Sequence, residues 1–174
     1  MDMTGEERIA ASREAVWAAL NDVAVLKQCI PGCESLEKTS DTDMAAKVKL
    51  QVGPVRAAFT GKVTLSDIDP PNGYRISGEG QGGVAGYAKG GAVVRLVDDG
   101  AGTLLKYDAK ADVGGKLAQL GGRLIDSTAR KLAGEFFQKF GEIVGAGSVG
   151  ASPSPALARK EGWLRRLWRR LFGR

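Results

Sequence analysis

The sequence predicts an α+β fold in which a curved antiparallel sheet packs against one long C-terminal helix. Between residues 44 and 113, apolar and polar side chains alternate, as they do in half-buried strands. From residue 117 to residue 143, apolar side chains recur every three or four residues, which is the spacing of a helix with one buried face. A short strand and two short helices precede both regions. Together these elements predict a helix-grip arrangement.

The N-terminal elements are short. Residues 6–11 have the pattern of a strand, and Ser12 stands where a helix N-cap is expected. An Asn-Asp pair interrupts this first helix, and a second short helix runs through Leu26. We expect it to stop before Pro31, because the residue preceding a proline is pushed out of the helical region.

The alternating region predicts a meander of five or six strands. Its turns are expected at Gly53-Pro54, at residues 69–73 and at residues 98–100, where Gly, Pro, Asn and Asp are concentrated. In the last strand one face carries only uncharged side chains, those of Leu105, Tyr107, Ala109 and Ala111. The sheet is therefore predicted to have one apolar face.

The long helix is predicted to cover that face over about seven turns. Its apolar stripe consists of Leu117, Leu120, Leu124, Thr128, Leu132, Phe136, Phe140 and Ile143. Gly121 and Gly122 each weaken a helix by roughly 1 kcal/mol relative to alanine. The first turns after Gly115 are therefore predicted to form a movable lid.

The composition excludes several kinds of chemistry. The chain has no histidine, so catalytic pairs and zinc sites that need an imidazole are ruled out. Cys29 and Cys33 are interpreted as reduced thiols that pack in the domain. No paired carboxylates are placed as an acid and a base, and we predict no catalytic residue and no metal site.

The basic residues are concentrated at the C-terminus. Residues 159–174 carry seven Lys or Arg and one Glu, whereas residues 1–158 carry 18 basic and 19 acidic residues. The body of the chain is therefore nearly neutral, which argues against a nucleic-acid partner. The N-terminus has no apolar run of signal-peptide length, so we expect a cytoplasmic location.

A glycine motif occupies the middle of the meander. Gly78, Gly80 and Gly83 match the spacing of a dinucleotide fingerprint, but the residues that follow continue as sheet and do not open a helix. We interpret these glycines as bends and bulges of a curved sheet. They also remove side chains from a sheet face, which leaves room for a ligand.

The predicted organisation is a domain over residues 1–144, a flexible linker over 145–158 and an amphipathic basic helix over 159–174. As a coil the linker spans about 20 Å. The predicted apolar face of the final helix comprises Trp163, Leu164, Leu167, Trp168, Leu171 and Phe172, and its basic face comprises Arg165, Arg166, Arg169 and Arg170.

This terminal helix is predicted to be a membrane anchor. Twelve helical residues reach about 18 Å, too short to cross a hydrocarbon core of roughly 30 Å, so the helix should lie in the interface of an anionic bilayer. Two alternatives remain open: docking into a protein groove, and a nucleic-acid-binding arm.

The inner sheet face and the long helix converge on a set of candidate cavity residues. They are Phe59, Val63, Tyr74, Ile76, Val94, Tyr107, Leu117, Leu120 and Leu124. From these residues alone, a filled core and a ligand cavity are both possible. A cavity here would suit an apolar ring or chain, with one hydrogen bond from a tyrosine.

Three stretches of the sequence resemble the CoxG family of carbon monoxide dehydrogenase proteins. They are CIPGCESLEK (29–38), VKLQVGPVRAAFTGKVTLSDIDPPNGYRISGEGQGGVAGYAKGGA (48–92) and GGKLAQLGGRLIDSTARKLAGEFF (114–137). The resemblance covers about residues 1–143. It implies a START-like helix-grip fold with a hydrophobic cavity, and it transfers no catalytic residue.

The resemblance also implies a function. Such proteins accompany aerobic molybdenum-containing CO dehydrogenase, so we expect a non-enzymatic accessory protein that tethers this enzyme at the cytoplasmic face of the cell membrane. A lipid or a quinone, menaquinone or ubiquinone, is expected in the cavity, where it would link the dehydrogenase to the respiratory chain. The alternatives are an enzyme acting on a hydrophobic substrate, a pure assembly factor, and a different molybdenum hydroxylase as the partner.

Overall fold

The structure, a computed structural model, describes residues 1–149. Its elements are β1 (Asp2–Ile9), α1 (Arg13–Leu20), α2 (Val23–Cys29), β2 (Cys33–Lys38), β3 (Asp43–Val52), β4 (Val55–Asp69), β5 (Gly73–Gln81), β6 (Tyr87–Asp99), β7 (Gly102–Gly114) and α3 (Gly122–Val149). Two 3₁₀-helices, Gly83–Ala85 and Gly115–Leu120, follow β5 and β7. The predicted α+β helix-grip fold is confirmed.

All seven strands form one antiparallel sheet in the order β1-β7-β6-β5-β4-β3-β2. Strands β2 to β7 form a meander, and β1 pairs with β7, with Asp2 opposite Lys110 and Ile9 opposite Thr103. Because successive turns of a meander alternate between the ends of a sheet, the domain has two distinct ends. The turns 39–42, 70–72 and 100–101 form what we call the aspartate end, and residues 53–54, 82–86 and 114–121 form the glycine end.

Side-chain caps fix the two short helices. The Ser12 hydroxyl accepts a hydrogen bond from the Ala15 amide at 3.2 Å, and the Asp22 carboxylate accepts one from the Ala24 amide at 2.9 Å. The second helix ends at Cys29, and Ile30 before Pro31 is extended, as the proline rule predicts. These caps account for why the chain turns twice before the sheet begins.

The structure corrects two strand predictions. Strand β1 begins at Asp2, well before residue 6, and β2 was not predicted. In β1 only alternate side chains are partly covered until Ile9, and β2 contributes a single buried side chain, Leu36. Neither segment therefore shows the alternation of apolar residues on which a sequence assignment depends.

The structure also corrects the predicted long helix. Residues 115–120 form a separate 3₁₀-helix, and α3 starts only at Gly122. Gly121 between them has φ of +89°, a conformation that breaks a right-handed helix and that glycine adopts at little cost. The helical spacing of the apolar residues spans this break, so the spacing alone could not reveal it. At its other end α3 is described as far as Val149, past the domain boundary expected at residue 144.

The main core lies toward the aspartate end. Val16, Leu105 and Phe140 are at most 1% exposed there, and Trp17 packs edge-on against Tyr74 with ring centroids 5.3 Å apart. Cys29 is part of this core, and the Cys33 thiol donates to the Ser35 carbonyl oxygen at 3.4 Å. Both cysteines are free thiols, as predicted, and burial raises the pKa of each.

Thr103 is the buried polar side chain of this core. Its hydroxyl donates to the Ala11 carbonyl oxygen at 2.7 Å and links β7 to the segment before α1. Thr103→Val keeps the shape and leaves that carbonyl unpaired, so the free energy of unfolding should fall by about 1–3 kcal/mol. Urea denaturation measures the change. The control Thr60→Val lies on an exposed strand position and should shift stability by less than about 0.5 kcal/mol; equal losses would contradict the assigned role of Thr103.

Candidate ligand cavity

Two adjoining apolar chambers lie between the sheet and α3. The first, the glycine chamber, has a volume of about 400 Å³, and the second, the aromatic chamber, about 430 Å³. Ile30, Ala46 and Val48 line both chambers. Each volume lies within the range of about 300–1,000 Å³ that small-molecule sites occupy. The cavity interpretation of the sequence is thus favoured over a filled core.

The glycine chamber exists because small residues are aligned across the sheet. Ala46 is opposite Gly61, Gly61 opposite Gly80, Gly80 opposite Ala88, and Ala88 opposite Val113. All five line the chamber. Across four consecutive strands, therefore, no side chain larger than a methyl group points from the sheet toward the helix, and the space stays empty.

The wall opposite this row is the first half of α3. It contributes Ile125, Thr128, Ala129 and Leu132, and the 3₁₀-helix contributes Leu117. The four α3 residues are only half-buried, in contrast to Phe140 farther along the same helix. The helix therefore packs tightly at the aspartate end and stands away from the sheet at the glycine end.

The register explains the glycine motif of β5. Gly78 and Gly80 lie on the inner face, and Gly83 sits in the following turn with φ of +60°. Only a three-residue 3₁₀-helix follows, so the dinucleotide interpretation of the motif is excluded and the prediction of bends is confirmed. A Cβ at Gly61 would approach the Glu79 carbonyl oxygen to 2.8 Å, which restricts that position to glycine.

The aromatic chamber is lined by larger side chains. The Tyr107 ring stacks on Phe137 with centroids 5.4 Å apart, and Phe136 stacks on Phe140 at 5.7 Å. Tyr107 lies over Gly5 of β1, where any Cβ would collide with the tyrosine ring. Burial raises the pKa of Tyr107 above its ordinary value. The chamber therefore offers flat aromatic surfaces and one half-buried hydroxyl.

Tyr74 is the most constrained polar group at the cavity. Its ring is 4% exposed, and its hydroxyl donates to the Leu20 carbonyl oxygen at 3.3 Å. Burial raises the pKa of Tyr74 to about 12. The hydroxyl proton is thus already engaged and stays in place at neutral pH, so Tyr74 is suited to positioning and not to proton transfer.

The structure brings seven of the nine predicted cavity residues to the chambers. Five line the aromatic chamber, namely Val63, Tyr74, Ile76, Val94 and Tyr107, and two line the glycine chamber, namely Phe59 and Leu117. Leu120 and Leu124 line neither chamber and pack against the cluster of Val52 and Ala85 at the glycine end, so these two predictions are wrong. The break at Gly121 changes the direction of the chain between them.

Sequence reasoning missed the lining residues on β3 and on the segment after α2. Ala46, Val48, Ile30 and Pro31 line the glycine chamber. Val48 already stood out through its alternation, but the pairing register that places it beside Gly61 and Gly80 cannot be read from one strand. The small residues on alternate positions of β4 to β6 were the available signal.

The chemistry of the chambers is apolar. Among the described residues, those that line either chamber are uncharged, and their polar side-chain atoms belong to Thr128, Tyr74 and Tyr107. Within residues 1–149, no three acidic or cysteine side chains are grouped to hold a metal ion. The arrangement can enclose an apolar molecule and supplies few groups for acid-base chemistry.

The predicted membrane anchor lies outside the described residues. This applies to all ten of its residues, from Trp163 to Phe172, and to most of the predicted linker. Within residues 1–149, no helix combines the length and apolar character required to span a bilayer.

The helix-grip architecture with an internal apolar cavity defines a START-like protein. Solved structures with this fold include the aromatase/cyclase ZhuI from Streptomyces sp. R1128 (13% identity, TM-score 0.57, covering 83% of this chain and 93% of that one). Another is Ara h 8.0201 (10% identity, TM-score 0.59, covering 83% and 97%). At these identities the likeness establishes the fold.

The particular family follows from two further comparisons. The model for the carbon monoxide dehydrogenase family CoxG matches residues 5–145, and the chain belongs to that family. A conserved protein from Geobacillus kaustophilus is 30% identical, with a TM-score of 0.79 over 83% of this chain and 95% of that one. The comparison with curated proteins gives no match. Family membership associates the chain with carbon monoxide dehydrogenase.

Gly80 offers a direct test of the glycine chamber. A Cβ there would contact only Phe59 Cβ at 3.9 Å and Thr60 O at 4.0 Å, so Gly80→Val should fit and fill the space with methyl groups. We expect about tenfold weaker binding of the apolar dye anilinonaphthalene sulfonate, with no loss of melting temperature. The control is Ser77→Val on the outer face of the same strand. Unchanged dye affinity for Gly80→Val would mean that the chamber takes no ligand.

Tyr74 offers a test of burial through pH. Its pKa rises from about 10 in the unfolded chain to about 12 in the fold, so the stabilisation is complete below pH 10 and is lost as pH rises toward 12. The change is about 3 kcal/mol over this interval. Tyr74→Phe lacks this titration. Urea denaturation at pH 8, 10 and 11 should show the natural chain losing stability relative to the variant; a constant difference would contradict the buried phenol.

Proposed function

We propose that this protein is a non-enzymatic, membrane-tethered accessory protein of an aerobic molybdenum CO dehydrogenase. It recruits the dehydrogenase to the cytoplasmic face of the cell membrane and holds a quinone, menaquinone or ubiquinone, in its cavity. The bound quinone links the dehydrogenase to the respiratory chain. Family membership supports the dehydrogenase as the partner.

The observation that carries the ligand proposal is the two-chamber cavity. Quinones combine a flat ring with a long apolar chain. The aromatic chamber offers the stacked Tyr107 and Phe137 rings for a flat group, and the adjoining glycine chamber offers an aliphatic lining for a chain. A charged or strongly polar ligand would lose its hydration in either chamber without gaining a charged partner, which is energetically costly.

The tether proposal rests on the sequence of the tail. Four arginines alternate with tryptophan, leucine and phenylalanine in residues 163–172. Each arginine near an anionic leaflet contributes about 1 kcal/mol, and the apolar face adds to this. Such binding is reversible, which suits a protein that must meet both an enzyme and a bilayer.

The test is mass spectrometry of organic extracts from the full-length protein, purified gently from its own membranes. We expect a quinone at about one per chain. The Gly80→Val chain should lose the quinone and stay at the membrane, because its tail is unchanged. The variant with Arg165, Arg166, Arg169 and Arg170 all replaced by Gln should leave the membrane fraction.

The possible outcomes separate the parts of the proposal. Bulk phospholipid in place of quinone would overturn the quinone assignment. Membrane association that survives the fourfold arginine replacement would overturn the tether. Co-purification of CO dehydrogenase with the full-length protein tests the partner, and its absence from gently solubilised membranes that contain the enzyme would contradict recruitment.

A further inference from the structure

The glycine end carries the most exposed large apolar side chain of the described residues. Val84 is 80% exposed at the tip of the 3₁₀-helix Gly83–Ala85, and Tyr87 just beyond it is 47% exposed. Glycines flank the tip on both sides, with φ of +60° at Gly83 and +118° at Gly86. An exposed apolar tip on a glycine-bounded turn is a surface that gains by leaving water.

This tip is continuous with the closure of the glycine chamber. A second apolar cluster, separate from the main core, is built on Val52, Phe59, Ala85 and Leu117. Phe59 and Leu117 also line the glycine chamber. Ala85, the neighbour of Val84, is therefore part of the layer that separates the chamber from the outside, and a displacement of the tip would act on that layer.

Charge distinguishes the two ends of the domain. The segments 51–57, 82–88 and 114–124 of the glycine end contain three charged residues, Arg56, Lys116 and Arg123. All three are exposed basic residues, and within the described residues none of them is in an ion pair.

The aspartate end has the opposite character. Its turns and their flanks, residues 39–43, 66–73 and 97–102, carry six aspartates and no basic residue. Arg8, Arg13 and Arg75 pair with three of these aspartates and leave the others uncompensated. The exposed Ile68 and Val97 of this end therefore lie among acidic groups, which an anionic bilayer would repel.

We propose that the glycine end is a second membrane contact, at which the Val84 tip enters the interface of an anionic bilayer while Arg56, Lys116 and Arg123 reach the lipid headgroups. The contact places the cluster over the glycine chamber against lipid, so an apolar ligand passes between bilayer and cavity without crossing water. The inference rests on the proposed function, since it assumes a ligand that resides in the membrane.

The tail cannot account for this contact by position. Phe140 and Val144 of α3 share the main core with Ile9 and Ala11, so the chain leaves α3 at the aspartate end. The 28 residues of α3 are about 42 Å long. The nine residues from 150 to the end of the predicted linker at 158 span at most about 30 Å. A signal at the glycine end therefore reports on a surface separate from the tail.

The experiment is amide hydrogen exchange of the full-length protein, followed by mass spectrometry, with vesicles of phosphatidylglycerol and phosphatidylcholine and with vesicles of phosphatidylcholine alone. With anionic vesicles, we expect slower exchange in residues 82–87 and 114–121 and unchanged exchange in residues 66–73 and 97–102. Sedimentation of the vesicles measures binding in the same samples. A chain that sediments with the glycine end unprotected overturns this inference alone, and a chain that does not sediment overturns the tether as well.

A matched pair of variants tests the role of the tip in ligand transfer. Val84→Asp and Val97→Asp each place a carboxylate at an exposed valine, at opposite ends of the domain. Val84→Asp should abolish the protection and slow transfer of menaquinone between anionic vesicles at least fivefold, with dye affinity unchanged, whereas Val97→Asp should change neither. Equal transfer rates for the two variants overturn the inference. So does protection of residues 82–87 by purified CO dehydrogenase in place of vesicles, since it assigns the tip to the enzyme.

Discussion

The arrangement of this domain depends on one alignment, the row of Ala46, Gly61, Gly80 and Ala88 across the inner face of the sheet. Protein interiors are normally filled, and a helix over such a row would ordinarily close onto it. Here Phe140 and Val144 hold the far half of α3 against the core at the aspartate end. Because the helix is stiff, that fixed half keeps its near half away from the sheet, and the small residues leave a chamber and not a seam.

The same alignment divides the domain into a stabilising half and a binding half. Side chains on the inner face become larger along each strand toward the aspartate end, from Gly80 to Tyr74 on β5 and from Ala88 to Leu96 on β6. The buried hydrogen bonds of Thr103 and Tyr74 lie in the large-residue half. The cost of an empty chamber is thereby offset by dense packing about three to four residues away along the same strands.

The sequence was informative wherever a local rule applies, and it was uninformative wherever pairing decides. Alternation, proline and capping rules identified the meander, the end of α2 and the start of α1. The cavity required the register of four strand pairs, which one chain segment cannot reveal. Leu120 and Leu124 were misplaced for a related reason, because their helical spacing continues across Gly121 although the backbone does not. Glycine was thus the residue type whose meaning changed most, from a weak helix former to a break in the helix.

That break also determines how the cavity can communicate with its surroundings. Gly115 and Gly121 bound the 3₁₀-helix with φ of +74° and +89°, so this segment can change its orientation while α3 keeps its own contacts. Leu117 in its centre lines the glycine chamber and also belongs to the cluster with Ala85. Movement of this one segment would uncover the chamber without disturbing the core around Phe140. An uninterrupted helix from residue 117 would instead couple any opening to the unpacking of the whole domain, so the break separates access to the cavity from the stability of the fold.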